Sequence, residues 1–182
     1  DIPDDLQRQL VDPLKLKNFQ APAAQELPHL KNSLQDTMDS IMNSRRPILI
    51  AGWGVHLSDT EAEFLKFAES FNIPIALTWG AADLIPFDHD LYVGTFGTHG
   101  NRHANFAVQN ADLIISLGSR LDTKSTGSPI NTFARDARKI MIDIDINELN
   151  KFQYFGLKFD QLIHCDLQDF FNTFNKFEPT KD

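Results

Sequence analysis

Apolar positions in this chain recur with two periods. From Leu30 onward they fall three and four apart, at Leu30, Leu34, Met38, Ile41 and Met42, with polar residues between them. That spacing lays one apolar stripe along a helix. The helix should stop near Asn43-Ser44-Arg45, because a residue before a proline is pushed out of the helical region and Pro47 follows. Pro47 opens an unbroken apolar run, Ile48-Leu49-Ile50-Ala51, closed by Gly52. A short branched run bounded by proline and glycine reads as a strand buried on both faces.

The two patterns then alternate. Ser58, with Glu61 three residues on, suggests a capping box that starts a helix with Ala62, Leu65, Phe67, Ala68 and Phe71 inward. Pro74-Ile75-Ala76-Leu77 predicts a second strand, ending at Thr78. Residues 80–98 carry Pro86, Asp88, Gly94 and Gly97 and read as a loop. Asn101 to Asn110 predicts a helix with Ala104, Phe106, Ala107 and Val108 inward. Leu113-Ile114-Ile115-Ser116-Leu117 predicts a third strand, ending at Gly118, and residues 119–137 read as irregular. Lys139 to Asp145 predicts a fourth strand ending in two acids, and Phe159 to His164 a fifth. Asp166 could cap a last helix running through Leu167, Phe170, Phe171 and Phe174. Strands alternating with helices imply a parallel sheet covered on both faces, a three-layer α/β domain of Rossmann-like type.

Residues 1–28 break this rhythm. Pro3, Pro13, Pro22 and Pro28 interrupt them, and no period emerges. They read as an extended connector leading into a domain over 29–176, with 177–182 as a tail or the start of a further linker. The opening Asp1-Ile2-Pro3-Asp4-Asp5, without Met, reads as a phrase from inside a longer polypeptide.

Composition narrows the function classes. The 182 residues suffice for one packed domain and fall short of two. Seventeen basic against 25 acidic residues give a net charge of −8, the wrong sign for blanket phosphate contact, so nucleic acid is not an expected partner. No apolar run reaches the roughly 18 residues of a membrane helix, and no signal peptide opens the chain. The single cysteine, Cys165, excludes an internal disulfide and a zinc cluster and reads as a buried small hydrophobe. A cytoplasmic setting fits these features.

In a parallel sheet of this kind, ligands collect at the carboxyl ends of the strands. Those ends read Gly52-Trp53-Gly54, Thr78-Trp79-Gly80, Gly118-Ser119-Arg120 and Asp143-Ile144-Asp145. Glycines let backbone approach a ligand, free amides at the following helix starts can take phosphate, and Arg120 adds a fixed positive charge. Asp143 or Asp145 could accept from ribose hydroxyls. Against this, the glycines could serve tight turns alone, because Leu57 stands where the third glycine of the dinucleotide fingerprint belongs. Trp53 and Trp79 could stack on a ring or fill an interface. His99 could hydrogen-bond a cofactor; no serine or cysteine nucleophile neighbours it in sequence. His103 reads as facing solvent or a partner domain, and Lys124 as a solvated loop residue. No P-loop, hydrolytic triad, metal cluster or Gly-Asp-Gly…Asn pattern occurs, so no catalytic residue and no metal ligand is assigned.

Several of these segments resemble one family. Gly97-Thr98-His99-Gly100 through Ala104-Asn105-Phe106-Ala107-Val108 to Ala111-Asp112-Leu113 resembles the G-x-H-G…A-N-x-A-V…A-D-L stretch of acetolactate synthase catalytic subunits. Leu117-Gly118-Ser119-Arg120-Leu121-Asp122 with Thr126-Gly127 resembles G-x-R-F-D-D-R-x-T-G. Ile142-Asp143-Ile144-Asp145 with Glu148-Leu149 resembles I-D-I-D-x-x-E-I, and Arg46 to Val55 matches the domain's opening strand.

The resemblance implies the central domain of a thiamine-diphosphate-dependent enzyme acting on 2-oxo acids. That domain has a six-stranded Rossmann-like sheet. The flanking domains hold thiamine diphosphate and Mg2+ across a homodimer or tetramer. In such synthases the central domain holds FAD without a net redox role; in relatives it holds ADP or nothing. By position, Gly52, Gly54, Thr78, His99, Gly100, Gly118, Arg120, Asp122, Asp143, Ile144 and Asp166 would line that site, with Trp53, Trp79 and Ser119 beside them. Two departures bear on the ligand: Thr123-Lys124 replaces the second acid and second arginine, and bulky Trp79 replaces a flavin contact. The ligand is thus left between FAD, ADP and none. An independent NAD-binding module and a purely structural domain are the competing expectations.

Overall fold

The computed structural model of the chain describes residues 3–18, 20 and 27–176. Six parallel strands form one sheet: β1 Pro47–Ala51, β2 Ile75–Leu77, β3 Tyr92–Thr95, β4 Leu113–Leu117, β5 Arg138–Asp143 and β6 Gln161–His164. Their order is β3-β2-β1-β4-β5-β6. The chain winds outward from β1 to one edge, then returns to lay β4 on β1's other side. That reversal is a topological switch point, where the connections after β1 and β4 lead to opposite faces of the sheet and a crevice forms at the strand ends. The expected three-layer α/β architecture is present.

Side-chain alternation assigns the two faces. Leu49, Ile75, Ile115 and Ile140 sit in register across the sheet and point to one side. There they pack under α2 Leu30–Asn43, α4 Glu61–Phe71 and α8 Leu167–Asn175. Phe67 anchors this layer, with ring centroids 4.9–6.0 Å from Phe71, Phe170, Phe171 and Phe174. Ile48, Ile50, Ile114 and Met141 point to the other side, under α5 Arg102–Gln109 and α7 Ile146–Asn150. Short helices α3 Gly54–Leu57 and α6 Thr123–Thr126 follow β1 and β4.

The structure corrects several expectations. The stretch read as a loop over 80–98 contains β3, an edge strand whose residues Tyr92-Val93-Gly94-Thr95 are mostly half-buried. Its apolar signal is diluted by glycine and threonine, so alternation alone does not mark it. The capping box does not form, because α4 begins at Glu61 itself, placing that glutamate first in the helix instead of third. Ser58 instead donates to the Gly54 carbonyl at 2.8 Å. Within the helices, Met42, Ala62 and Phe106 are exposed, whereas Thr37 and Phe64 are buried. The fourth strand ends at Asp143, two residues early, because Asp145 caps α7 through the Asn147 amide.

Of the leading connector, residues 3–18 are exposed and hold one short helix, α1 Asp4–Gln7, which buries no residue. Residues 1, 2, 19, 21–26 and the tail 177–182 lie outside the described residues. Among the described residues, no helix is long and apolar enough to cross a membrane.

Candidate functional site

A cavity of about 920 Å³ opens at the switch point, above the carboxyl ends of the strands. Its floor is made of backbone in close contact. Gly52 donates to the Leu117 carbonyl at 3.0 Å and Gly54 to the Gly118 carbonyl at 2.9 Å. A Cβ on Gly52 would lie 2.2 Å from the Gly118 oxygen. Gly118 has φ +56°, a left-handed conformation that turns the chain after β4 toward Ser119 and Arg120. Each of these glycines is required by the approach of one turn to the other.

The same contacts revise the phosphate expectation at this turn. The amides of Gly52, Gly54 and Val55 all donate within the protein, and α3 has only four residues. Positive charge at the cavity comes instead from Arg120 and Lys124, both among its lining residues. Arg120 is exposed, and its Nε donates to Glu148 at 3.0 Å. Lys151 bonds the other carboxylate oxygen of Glu148 and also donates to the Arg120 carbonyl. This chain of contacts pins the loop after β4 to α7 and fixes where the guanidinium sits. Ser119 is buried, and its hydroxyl accepts from the Leu121 amide at 3.3 Å.

The acidic rim faces it from β5 and β6. Asp143 is buried at the end of β5, and its carboxylate accepts from the Asp145 amide at 2.9 Å. Burial, with Glu148 and Asp145 close by, pushes its carboxyl above the ordinary range. Asp145, Asp122 and Asp166 also line the cavity, and each uses one carboxylate oxygen to cap a helix: α7, α6 and α8. Ile144 is exposed on the rim, while its carbonyl contacts His164 Nε2 at 2.9 Å. Cys165 behind it is buried, as expected, and burial pushes its thiol up to about 12.

The third side is aromatic. Trp53 and Trp79 are 51% and 66% exposed, so neither fills the core of this chain. Trp79 stacks on His99, with centroids 5.3 Å apart and planes 32° apart. Thr78 lines the cavity, and its hydroxyl donates to the Ala51 carbonyl at 3.1 Å. The loop bearing His99 is tied across to α6, where the Thr98 amide donates to the Lys124 carbonyl at 2.7 Å. Gly100 lies outside the lining; a Cβ there would meet the Phe96 backbone at 2.4 Å, so its role is to close the loop. His103 is exposed, as expected.

Thirteen of the fourteen positions singled out by sequence therefore surround one cavity. Not assigned to the site were Leu57, Ser58, Thr98 and Glu148 among others; Glu148 carried a sequence signal, as the acid that follows Asp143-Ile144-Asp145 in the resembling segment. Among the described residues no group of three or more His, Cys, Asp or Glu could hold a metal ion.

Residues 34–171 match the family model described as the central domain of thiamine pyrophosphate enzymes. The chain is 35% identical to the probable acetolactate synthase large subunit of Methanocaldococcus jannaschii, over 83% of this chain and 26% of that protein. It is 35% identical to the acetolactate synthase large subunit of Corynebacterium glutamicum, over 83% of this chain and 24% of that one. It is 34% identical to that of Lactococcus lactis, over 83% and 26%. The chain thus spans about a quarter of the length of these relatives.

Proposed function

This chain belongs to the family of thiamine pyrophosphate enzyme central domains, and from that premise we propose that it is the nucleotide-holding, non-catalytic part of an acetolactate synthase-like enzyme acting on 2-oxo acids. One observation carries the reading: the cavity lies at the sheet's switch point, and its lining brings together two cations, Arg120 and Lys124, and two acids, Asp143 and Asp145. A diphosphate needs the first pair of charges and ribose hydroxyls need the second. The volume, about 920 Å³, falls within the ~300–1,000 Å³ of small-molecule and cofactor sites.

The residues present fit an adenine nucleotide. Arg120 would face the diphosphate, held at its angle by Glu148. Asp143 and the Asp145 cap would face the ribose, and Trp79 on His99 offers a flat apolar surface for a ring. FAD and ADP share this nucleotide part and remain the two candidate ligands. When bound, a flavin would supply a stacking ring and structural order.

Decarboxylation of a 2-oxo acid and transfer of the resulting carbanion equivalent belong, in this reading, to the flanking domains of the parent enzyme. Those domains would hold thiamine diphosphate and Mg2+ across a homodimer or tetramer. Residues 29–176 form the domain in this scheme, with 1–28 leading into it.

Calorimetric titration of the purified chain with FAD, ADP and NAD tests the proposal. Saturable binding of FAD or ADP supports it. Binding of NAD alone would instead favour an independent dinucleotide module, and no binding would leave only a scaffold role.

A further inference from the structure

Behind the rim residue Trp53 lies a histidine that the nucleotide reading does not use. His56 lies in α3, three residues after Trp53, and each of its ring nitrogens faces a carboxylate. Nδ1 is 2.8 Å from Glu61 Oε1, and Nε2 is 3.2 Å from Asp83 Oδ1. An ionised carboxylate only accepts, so both nitrogens must donate, and only the imidazolium carries two N–H groups. The partners come from different segments. Glu61 opens α4, whereas Asp83 follows the short turn Trp79–Ala81. Trp53 covers the ring from α3's leading end, its centroid 4.7 Å away. Gly80 in the Trp79 turn sits against Trp53, where an added Cβ would lie 3.2 Å from the tryptophan Cβ. His56 thus joins the two turns that carry the exposed tryptophans of the rim.

We propose that His56, as an imidazolium, is a positioning residue for the cavity mouth: it clips the Trp79 turn to α3 and α4 and thereby holds both tryptophans in place for the nucleotide. The inference rests on the nucleotide reading of the cavity. Glu61 from α4 and Asp83 from the Trp79 turn are the charged groups facing the ring. The hydrogen bond to Glu61 raises the imidazole above its ordinary range against the opposing effect of burial, and Asp83 adds to the rise. As pH climbs through that raised value, one ring proton leaves and a lone pair turns toward a carboxylate. A neutral ring can keep only one partner. The shorter contact is with Glu61, so the Asp83 contact is the one released and the Trp79 turn loosens.

Three measurements on the purified chain test this. NMR of the His56 ring nitrogens, from about pH 5.5 to 8.5, should show both protonated at neutral pH. Emission of Trp79, read in a Trp53→Phe background, should shift along the His56 titration and lose that shift in His56→Gln and Asp83→Asn. ADP affinity, by calorimetry, should fall about 3- to 10-fold in the wild type across the same titration, while His56→Gln binds weakly throughout. The titration of ADP itself is common to both proteins and cancels in their ratio. A singly protonated His56 at neutral pH, or an affinity ratio that does not change with pH, overturns the proposal. If the wild type binds neither ADP nor FAD, the nucleotide reading falls. The Trp79 signal then decides the positioning role: a shift that tracks His56 supports it, and a flat signal overturns it.

Discussion

The Gly54 amide donates to the Gly118 carbonyl at 2.9 Å, and a Cβ on Gly54 would lie 2.6 Å from the Gly118 Cα. This single contact joins the turn after β1 to the turn after β4, the neighbouring strands that flank the switch point. No side-chain rotation can relieve the clash, because both groups are backbone. Gly54→Ala should cost about 2–3 kcal/mol of stability. Gly118→Ala should cost at least as much, since φ +56° adds strain to crowding. Urea denaturation of both variants measures this. A midpoint unchanged from wild type would show that the turns can part freely.

Arg120 carries the diphosphate part of the proposed function. Arg120→Ala should weaken ADP binding about 10- to 100-fold, the usual effect of losing a charge-assisted contact to phosphate. Folding should change little, because the side chain is exposed and its partner Glu148 keeps Lys151. Calorimetry on the variant checks both points, with undiminished affinity removing Arg120 from the site.

Asp143 gives the pH dependence a definite sign. Its carboxyl is raised in the folded protein by burial and by Glu148 and Asp145. Between the unfolded and the raised value, the folded state therefore binds more protons, and stability falls as pH rises through that window. Below the unfolded value the contribution is fully present. Asp143→Asn keeps an acceptor for the Asp145 amide but carries no charge. The variant should match or exceed wild-type stability at neutral pH, and the drop across that window should be smaller. Denaturation midpoints at several pH values test the sign, and a steeper fall in the variant would contradict it.

Ser116 sits mid-strand in β4 with a buried hydroxyl that has no hydrogen-bond partner. Its neighbours in register are Ile50 and Met141, which offer none. Removing an unsatisfied buried hydroxyl should help, so Ser116→Ala should gain about 1 kcal/mol, read as a higher melting temperature. A loss of stability would mean that the hydroxyl has a bonding partner after all.

Much of this protein could be read from local sequence. Helix α2, strands β1, β2 and β4 and the last helix follow from period and from their proline and glycine boundaries, because buried elements repeat on a fixed geometric interval. Strand β3 could not be read in this way: an edge strand buries less, and its Tyr92-Val93-Gly94-Thr95 carries little of the apolar signal that marks the central strands. The inward face of α4 differs in part from the one its spacing predicts. Phe64 and Ala62 both suit a helix interior, and the direction of the sheet beneath decides which is buried.

The sequence by itself determined the alternating strands and helices, and it identified the strand ends as the place where ligand chemistry would collect. Both follow from short-range pattern and from the rule that parallel strands expose their carboxyl ends together. Only the tertiary structure decided how those ends meet. It showed that the glycine amides of the β1 turn are spent on the β4 turn, that Glu148 aims Arg120, and that His56 faces two carboxylates from different segments. These contacts join residues as far apart in sequence as Gly52 and Leu117, and no local period encodes which of them folding will bring within hydrogen-bond reach.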